Sequence, residues 1–186
     1  MTLKRIIELV GITLIGFALI FGVVVLKINK DGSLTETDQQ RVARLYHAIV
    51  VQTGLSNLMP PIRVVDSPVI NAYNSGSEIV IYTGIIKATA NDDELAMIIG
   101  HEISHTTLFH FALMEAYAKN WNADSQALLE SDADKMGAFY ALKAGYNVCL
   151  GREIWKRLKS IDGDYLGEDH PDMAYRYDQL NVNCSE

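Results

Sequence analysis

Residues 94–105, Glu-Leu-Ala-Met-Ile-Ile-Gly-His-Glu-Ile-Ser-His, constrain the chain more than any other stretch. Their apolar content suits one helix. His101 and His105 are four apart, so on that helix they lie one turn apart on the same face. Both imidazoles can reach one metal ion. Glu102 stands about 100° further round, close enough to reach a water on that metal. This is the H-E-x-x-H pattern of zinc hydrolases. Asn91, Asp92 and Asp93 offer capping oxygens and an acidic first turn. Leu95, Ile98, Ile99 and Ile103 form an apolar stripe that buries the helix. The plain alternative is a core helix with two hydrogen-bonded histidines. A carboxylate buried between two imidazoles needs a partner, however, and a metal supplies one.

A catalytic zinc takes three protein ligands and keeps one position open. Glu130 is the best third candidate. It follows His105 by 25 residues, which lets the chain turn and lay a second helix, expected over 126–144, beside the first. Ala133, Gly137 and Ala141 recur every four residues on that helix, a smooth stripe that permits close approach. Asp134, one turn beyond Glu130, can accept the free N–H of a ligand histidine and fix its tautomer. The alternative for Glu130 and Asp134 is a solvated acidic face. The expected cofactor is one Zn2+ per chain.

Residues 6–26 are almost wholly apolar and span about 30 Å as a helix, one bilayer core. A cleaved signal peptide would carry a shorter apolar run and end in small residues. Val23-Val24-Val25-Leu26-Lys27 offers no such site, so an uncleaved anchor over 6–28 is expected, after a short basic stretch 1–5 and before a linker 29–36. That gives a single-pass membrane protein whose lipid partner meets residues 6–28. Its domain is expected in the periplasm or another extracytoplasmic space, although Lys4 and Arg5 balance Lys27 and Lys30 and the positive-inside count supports this only weakly. The chain's net charge is −7, and the basic residues near the N-terminus leave the remainder more acidic still. A nucleic-acid partner is thereby excluded, since it would need a basic face. Cys149 and Cys184 lack Cys-x-x-Cys spacing. They either form a disulfide tying the C-terminal tail to the body or stay as two thiols.

Between anchor and motif, Thr37 and Gln40 frame a possible capping box for a helix that Gly54 stops. Its His47 reads as a surface residue. Short strands are expected over 62–66, 69–73 and 78–82, with Thr83-Gly84 ending the last. A sheet this small leaves an edge on which an extended peptide could pair. The motif helix is expected to run past His110. A short helix over 153–161 and a last one bearing Arg176 and Leu180 complete an α+β domain, mainly helical with a three-stranded sheet, over 37–186.

Four blocks together resemble the M48 metallopeptidases, the gluzincin family with Ste24, HtpX and Oma1 types. They are Asn71-Ala72-Tyr73 with 79–84; the zinc helix 101–105 with His110 beyond; Glu130-Ser131-Asp132-Ala133-Asp134 followed by Ala144-Gly145-Tyr146; and His170-Pro171 with Arg176. The resemblance covers about residues 40–180. It implies a zincin-like fold and a zinc metalloendopeptidase, with His101, His105 and Glu130 as ligands, Glu102 as general base and Asp134 behind them. It also implies that Asn71 and Ala72 hold the backbone of an extended polypeptide substrate. His170 would lie near the metal, either steadying the reaction's oxyanion or binding zinc in a resting state. Asp169 replaces the usual Thr, and the several membrane spans of the Ste24 and HtpX types are missing, so their lipid-linked substrates do not transfer. Misfolded envelope or membrane proteins are the expected substrates. A zinc-bearing, chaperone-like binding module with cleavage suppressed is the second reading, and the intact Glu102 argues against it.

Overall fold

A computed structural model of the protein describes residues 27–28, 34–162, 172–180 and 184. The expected membrane segment over 6–26 and the candidate His170 lie outside the described residues. Among the described residues, no helix is long and apolar enough to cross a membrane. The expected anchor boundary at 28 and the structureless linker are corrected. Lys27–Ile28 (β1) and Leu34–Thr35 (β2) pair antiparallel, with Ile28 opposite Leu34. This hairpin belongs to a unit separate from residues 41–186.

Helix α1 (Asp38–Gln52) opens on the expected capping box. Thr37 N donates to Gln40 Oε1 at 2.9 Å and Gln40 N donates to Thr37 Oγ1 at 3.3 Å. Two otherwise orphaned N–H groups are thereby satisfied. Val42, Leu45, Ile49 and Val50 turn inward, His47 stays exposed, and Gly54 at φ +72° ends the helix. Arg41 and Arg44 both bond Asp92, at 2.7 and 2.8 Å.

The sheet is mixed, in the order β3–β5–β4. Ile62–Val65 (β3) runs parallel to Ile79–Tyr82 (β5), and Ala72–Asn74 (β4) runs antiparallel to it. β5 is central and its Ile79, Val80 and Ile81 are fully buried. β4 starts three residues later than the sequence suggests. The preceding segment is tied elsewhere: Ser67 N donates to Thr83 Oγ1 at 3.1 Å and Gly84 N donates to Ser67 O at 2.8 Å. The same ties correct the reading of Thr83-Gly84 as a strand stop. Thr83–Ala88 is a helix (α2) with Ile85 and Ile86 buried, and a Cβ at Gly84 would overlap the carbonyls of Pro68 and Val69.

Helix α3 (Asp92–Thr107) is the centre of the molecule. Asn91 Oδ1 accepts Glu94 N at 2.9 Å as its N-cap. Residues 94–104 are buried on every side, more than the stripe alone requires. The helix does not continue past His110 as expected. It ends at Leu108, Phe109 turns left-handed at φ 57°, and His110–Ala116 (α4) starts a new helix. A 3-10 turn follows at Ala118–Asn120. Helix α5 (Ala123–Lys143) begins three residues before the expected start because Asn122 Oδ1 caps it, accepting Ser125 N at 2.9 Å. Gly145 at φ +90° ends it.

The most extensive packing in the chain is that of α3 on α5. The two backbones meet at paired glycines. A Cβ on Gly100 would lie 2.6 Å from Gly137 O, and one on Gly137 would lie 2.6 Å from His101 N. The small-residue stripe expected on α5 therefore finds its counterpart in Gly100 of the motif itself. Val148–Gly151 (α6), Glu153–Asp162 (α7) and Met173–Asp178 (α8) close the far side. Ile154, Leu158, Met173 and Leu180 join α1, β5 and α3 in one core.

Candidate metal centre

The glycine crossing sets the site. With the backbones this close, the side chains one turn away on each helix must meet. His101 Nε2 lies 3.1 Å from His105 Nε2 and 3.2 Å from Glu130 Oε2. His105 Nε2 lies 3.7 Å from Glu130 Oε1. One donor atom from each of the three residues falls within 4.8 Å of the others. Two imidazole nitrogens and a carboxylate are the donors zinc prefers, and three is the number a catalytic zinc takes. The residues present fit that ion.

Asp134 lies directly behind the cluster. His101 Nδ1 is 2.9 Å from Asp134 Oδ1, which places the proton on Nδ1 and leaves the Nε2 lone pair facing the cluster. Asp134 is fully buried and paired with buried Arg176, whose Nη2 and Nε donate to its two oxygens at 2.6 and 2.8 Å. Gln179 Nε2 adds a third bond to Asp134 at 3.0 Å. Burial opposes charge on Asp134, but the Arg176 guanidinium and His101 hold its carboxyl below the usual range. Burial likewise opposes charge on His101. The Asp134 and Glu130 carboxylates outweigh it and push the imidazole's pKa up to about 10. The cluster draws positive charge, and a proton and a metal ion compete for it.

The sequence singled out Arg176 without a role; the structure makes it the counter-ion of Asp134. Asn74 was missed. Its Nδ2 donates to Glu102 O at 2.6 Å and to Thr106 Oγ1 at 2.8 Å, fixing edge strand β4 against α3. The only hint was an Asn three residues beyond Asn71. His110 is buried, its Nδ1 lies 3.0 Å from His105 Nδ1, and burial holds its pKa below the ordinary value.

Beside the metal cluster lies a cavity of about 60 Å³. Glu102 and His101 form one wall, and Asn71 and Ala72 at the start of β4 form another. Ile70, Ile98 and Leu158 make its lining largely apolar. Arg176 stacks over the Trp155 ring at 3.7 Å, and both border the cavity. Trp155 Nε1 is buried and has no acceptor among the described residues. Away from the site, Cys149 and Cys184 are joined by a disulfide.

The model of peptidase family M48 matches residues 36–128, half of the chain. The chain belongs to this family. The M48 match takes in His101, Glu102 and His105 and stops two residues short of Glu130. Human mitochondrial metalloendopeptidase OMA1 is 27% identical over 176 aligned residues, covering 72% of this chain and 34% of that protein. Mitochondrial metalloendopeptidase OMA1 of Arabidopsis thaliana is 29% identical over 132 residues, 56% of this chain and 27% of that one. A protease HtpX homolog of Streptococcus thermophilus is 36% identical over 76 residues, 38% of this chain and 25% of that one. The chain thus spans about a quarter to a third of the length of these M48 relatives.

Proposed function

We propose that this chain is a membrane-tethered zinc metalloendopeptidase of the gluzincin kind. The observation that carries the reading is the meeting of His101, His105 and Glu130 within 4.8 Å, next to a cavity bordered by Glu102. Zinc held by those three side chains would act as a Lewis acid on the peptide carbonyl and bring the pKa of a water at its open position toward about 7. Glu102 takes the proton of the attacking water and passes it to the leaving nitrogen. Asp134 holds His101 in the tautomer that presents Nε2. Asn71 and Ala72 bind the backbone of an extended substrate along β4, an edge of the sheet. The apolar cavity takes a small apolar side chain beside the scissile bond. His170 donates to the carbonyl oxygen as it gains negative charge.

Residues 6–28 anchor the protein in a bilayer. The Cys149–Cys184 disulfide suits an oxidising compartment, which favours an extracytoplasmic face. Misfolded envelope or membrane proteins are the substrates such a placement offers. The test uses the full chain in detergent, loaded with zinc and incubated with an unfolded model protein, beside Glu102→Gln. Fragments from the wild type, with a rate loss of about 10²–10⁴-fold in the variant and zinc retained, are expected. Equal turnover in Glu102→Gln would remove Glu102 as the base. Zinc binding without fragments from either protein would favour a binding module.

A further inference from the structure

We infer that His110 is a positioning residue for the metal: it accepts the Nδ1–H of His105 and so fixes the ring that presents Nε2 to the ion. The inference rests on the zinc reading above. His105 Nε2 is the nitrogen that faces His101 and Glu130, so the His105 proton sits on Nδ1. His110 Nδ1 stands 3.0 Å from that atom, and the two rings are 5.0 Å apart and nearly perpendicular. A neutral His110 protonated on Nε2 offers the lone pair the bond requires. The two ligand histidines are therefore oriented differently, His101 by the carboxylate of Asp134 and His105 by an imidazole.

The backbone is built for this contact. On an unbroken helix a residue five positions on lies about 140° around the axis and faces away. The chain instead breaks at Leu108, forces Phe109 into the left-handed region at φ 57°, and restarts at His110. Phe109 itself is 72% exposed, so its side chain's burial does not account for the turn. What the break achieves is to return buried His110 over His105. Strain in a non-glycine residue beside a site is where such an arrangement is expected.

The test compares His110→Leu with His110→Asn in the full chain in detergent. Leucine fills similar space and accepts no hydrogen bond, whereas the asparagine oxygen takes the place of Nδ1. A packing role predicts that leucine is tolerated and asparagine is not; the positioning role predicts the reverse. Zinc dissociation constants from chelator competition should rise about 10–100-fold in His110→Leu and stay within about threefold of wild type in His110→Asn. Peptide cleavage should follow the same order. His110→Ala is run alongside, and whichever acceptor-free variant keeps the wild-type circular-dichroism spectrum carries the comparison. Wild-type affinity in that variant, or an equal loss in His110→Asn, would overturn the inference while leaving the peptidase reading intact. A wild-type protein that binds no zinc would overturn both.

Discussion

Gly137→Ala tests whether the glycine crossing holds the site together. The added Cβ would lie 2.6 Å from His101 N, 2.8 Å from Gly100 C and 2.9 Å from His101 Cα, where ordinary contact starts at 3.4 Å. All three neighbours are backbone, so no rotamer change relieves the overlap, and α3 and α5 must part by about 0.8 Å. Alanine gains about 1 kcal/mol of helix propensity over glycine. Overpacking against rigid neighbours costs about 1–3 kcal/mol, here at the upper end. The net expectation is a loss of about 1–2 kcal/mol, seen as a melting point lower by about 3–8 °C. The metal readout is sharper. Ligand distances tolerate about 0.2 Å, so moving Glu130 from His101 and His105 by several times that should weaken zinc at least about tenfold. Thermal melts and chelator competition measure the two effects. Asp132→Ala, at an exposed position of α5, serves as the propensity control and should leave zinc affinity alone. A Gly137→Ala protein that melts at or above the wild-type temperature with unchanged zinc affinity would refute the reasoning.

Asp134→Asn strips the buried Arg176 of its counter-charge and should cost about 3–5 kcal/mol, read in a denaturant melt; a cost below about 1 kcal/mol would show that Arg176 is paired elsewhere. Asp92, the residue joining Arg41 and Arg44 to the start of α3, carries a lowered pKa: burial works against it, and bonds from the two arginines outweigh burial. Its contribution is therefore present above about pH 3.9, the unfolded value, and lost as pH falls through the lower folded value. At 38% side-chain exposure the pair should be worth no more than about 1 kcal/mol, so the acid limbs of wild type and Asp92→Asn should converge in pH-dependent melts. Cys149→Ser with Cys184→Ser opens a bridge across 35 residues and should cost up to about 4 kcal/mol on chain entropy, measured by the same melts with and without reductant.

How much of this was legible in the sequence follows from how local each feature is. The spacing of His101, Glu102 and His105 is a property of one helix, and helices keep their periodicity wherever they pack. Glu130 and Asp134 were legible because they sit one turn apart among small residues, which told of a close helical neighbour before the neighbour was known. The capping pairs of Thr37 with Gln40 and of Asn91 with Glu94 N lie three residues apart and were equally visible. The Arg176–Asp134 pair spans 42 residues, and no local pattern announces it. The helix at Thr83 was hidden because its start is written in contacts with Ser67 and Pro68. The break at Phe109 was hidden because nothing but glycine advertises a left-handed turn, and here the chain uses phenylalanine. What escaped the sequence was the set of residues that hold the ligands in place.

The charges explain why those holding residues take the form they do. Glu102, Glu130 and Asp134 are buried carboxylates in one small region, and Arg176 is the buried cation among them. With both ligand histidines neutral, the region is two positive charges short, which is the charge of one zinc ion. Arg176 sets that number: without it the shortfall would be three, and a divalent ion would leave a carboxylate uncompensated in a low-dielectric setting. The same arithmetic accounts for His101, whose pKa is pushed up to about 10 because a proton is the next best source of positive charge. It also bears on His105. Oriented by a third carboxylate, His105 would deepen the shortfall again. His110 orients it with a neutral ring and leaves the balance at the value a divalent metal satisfies.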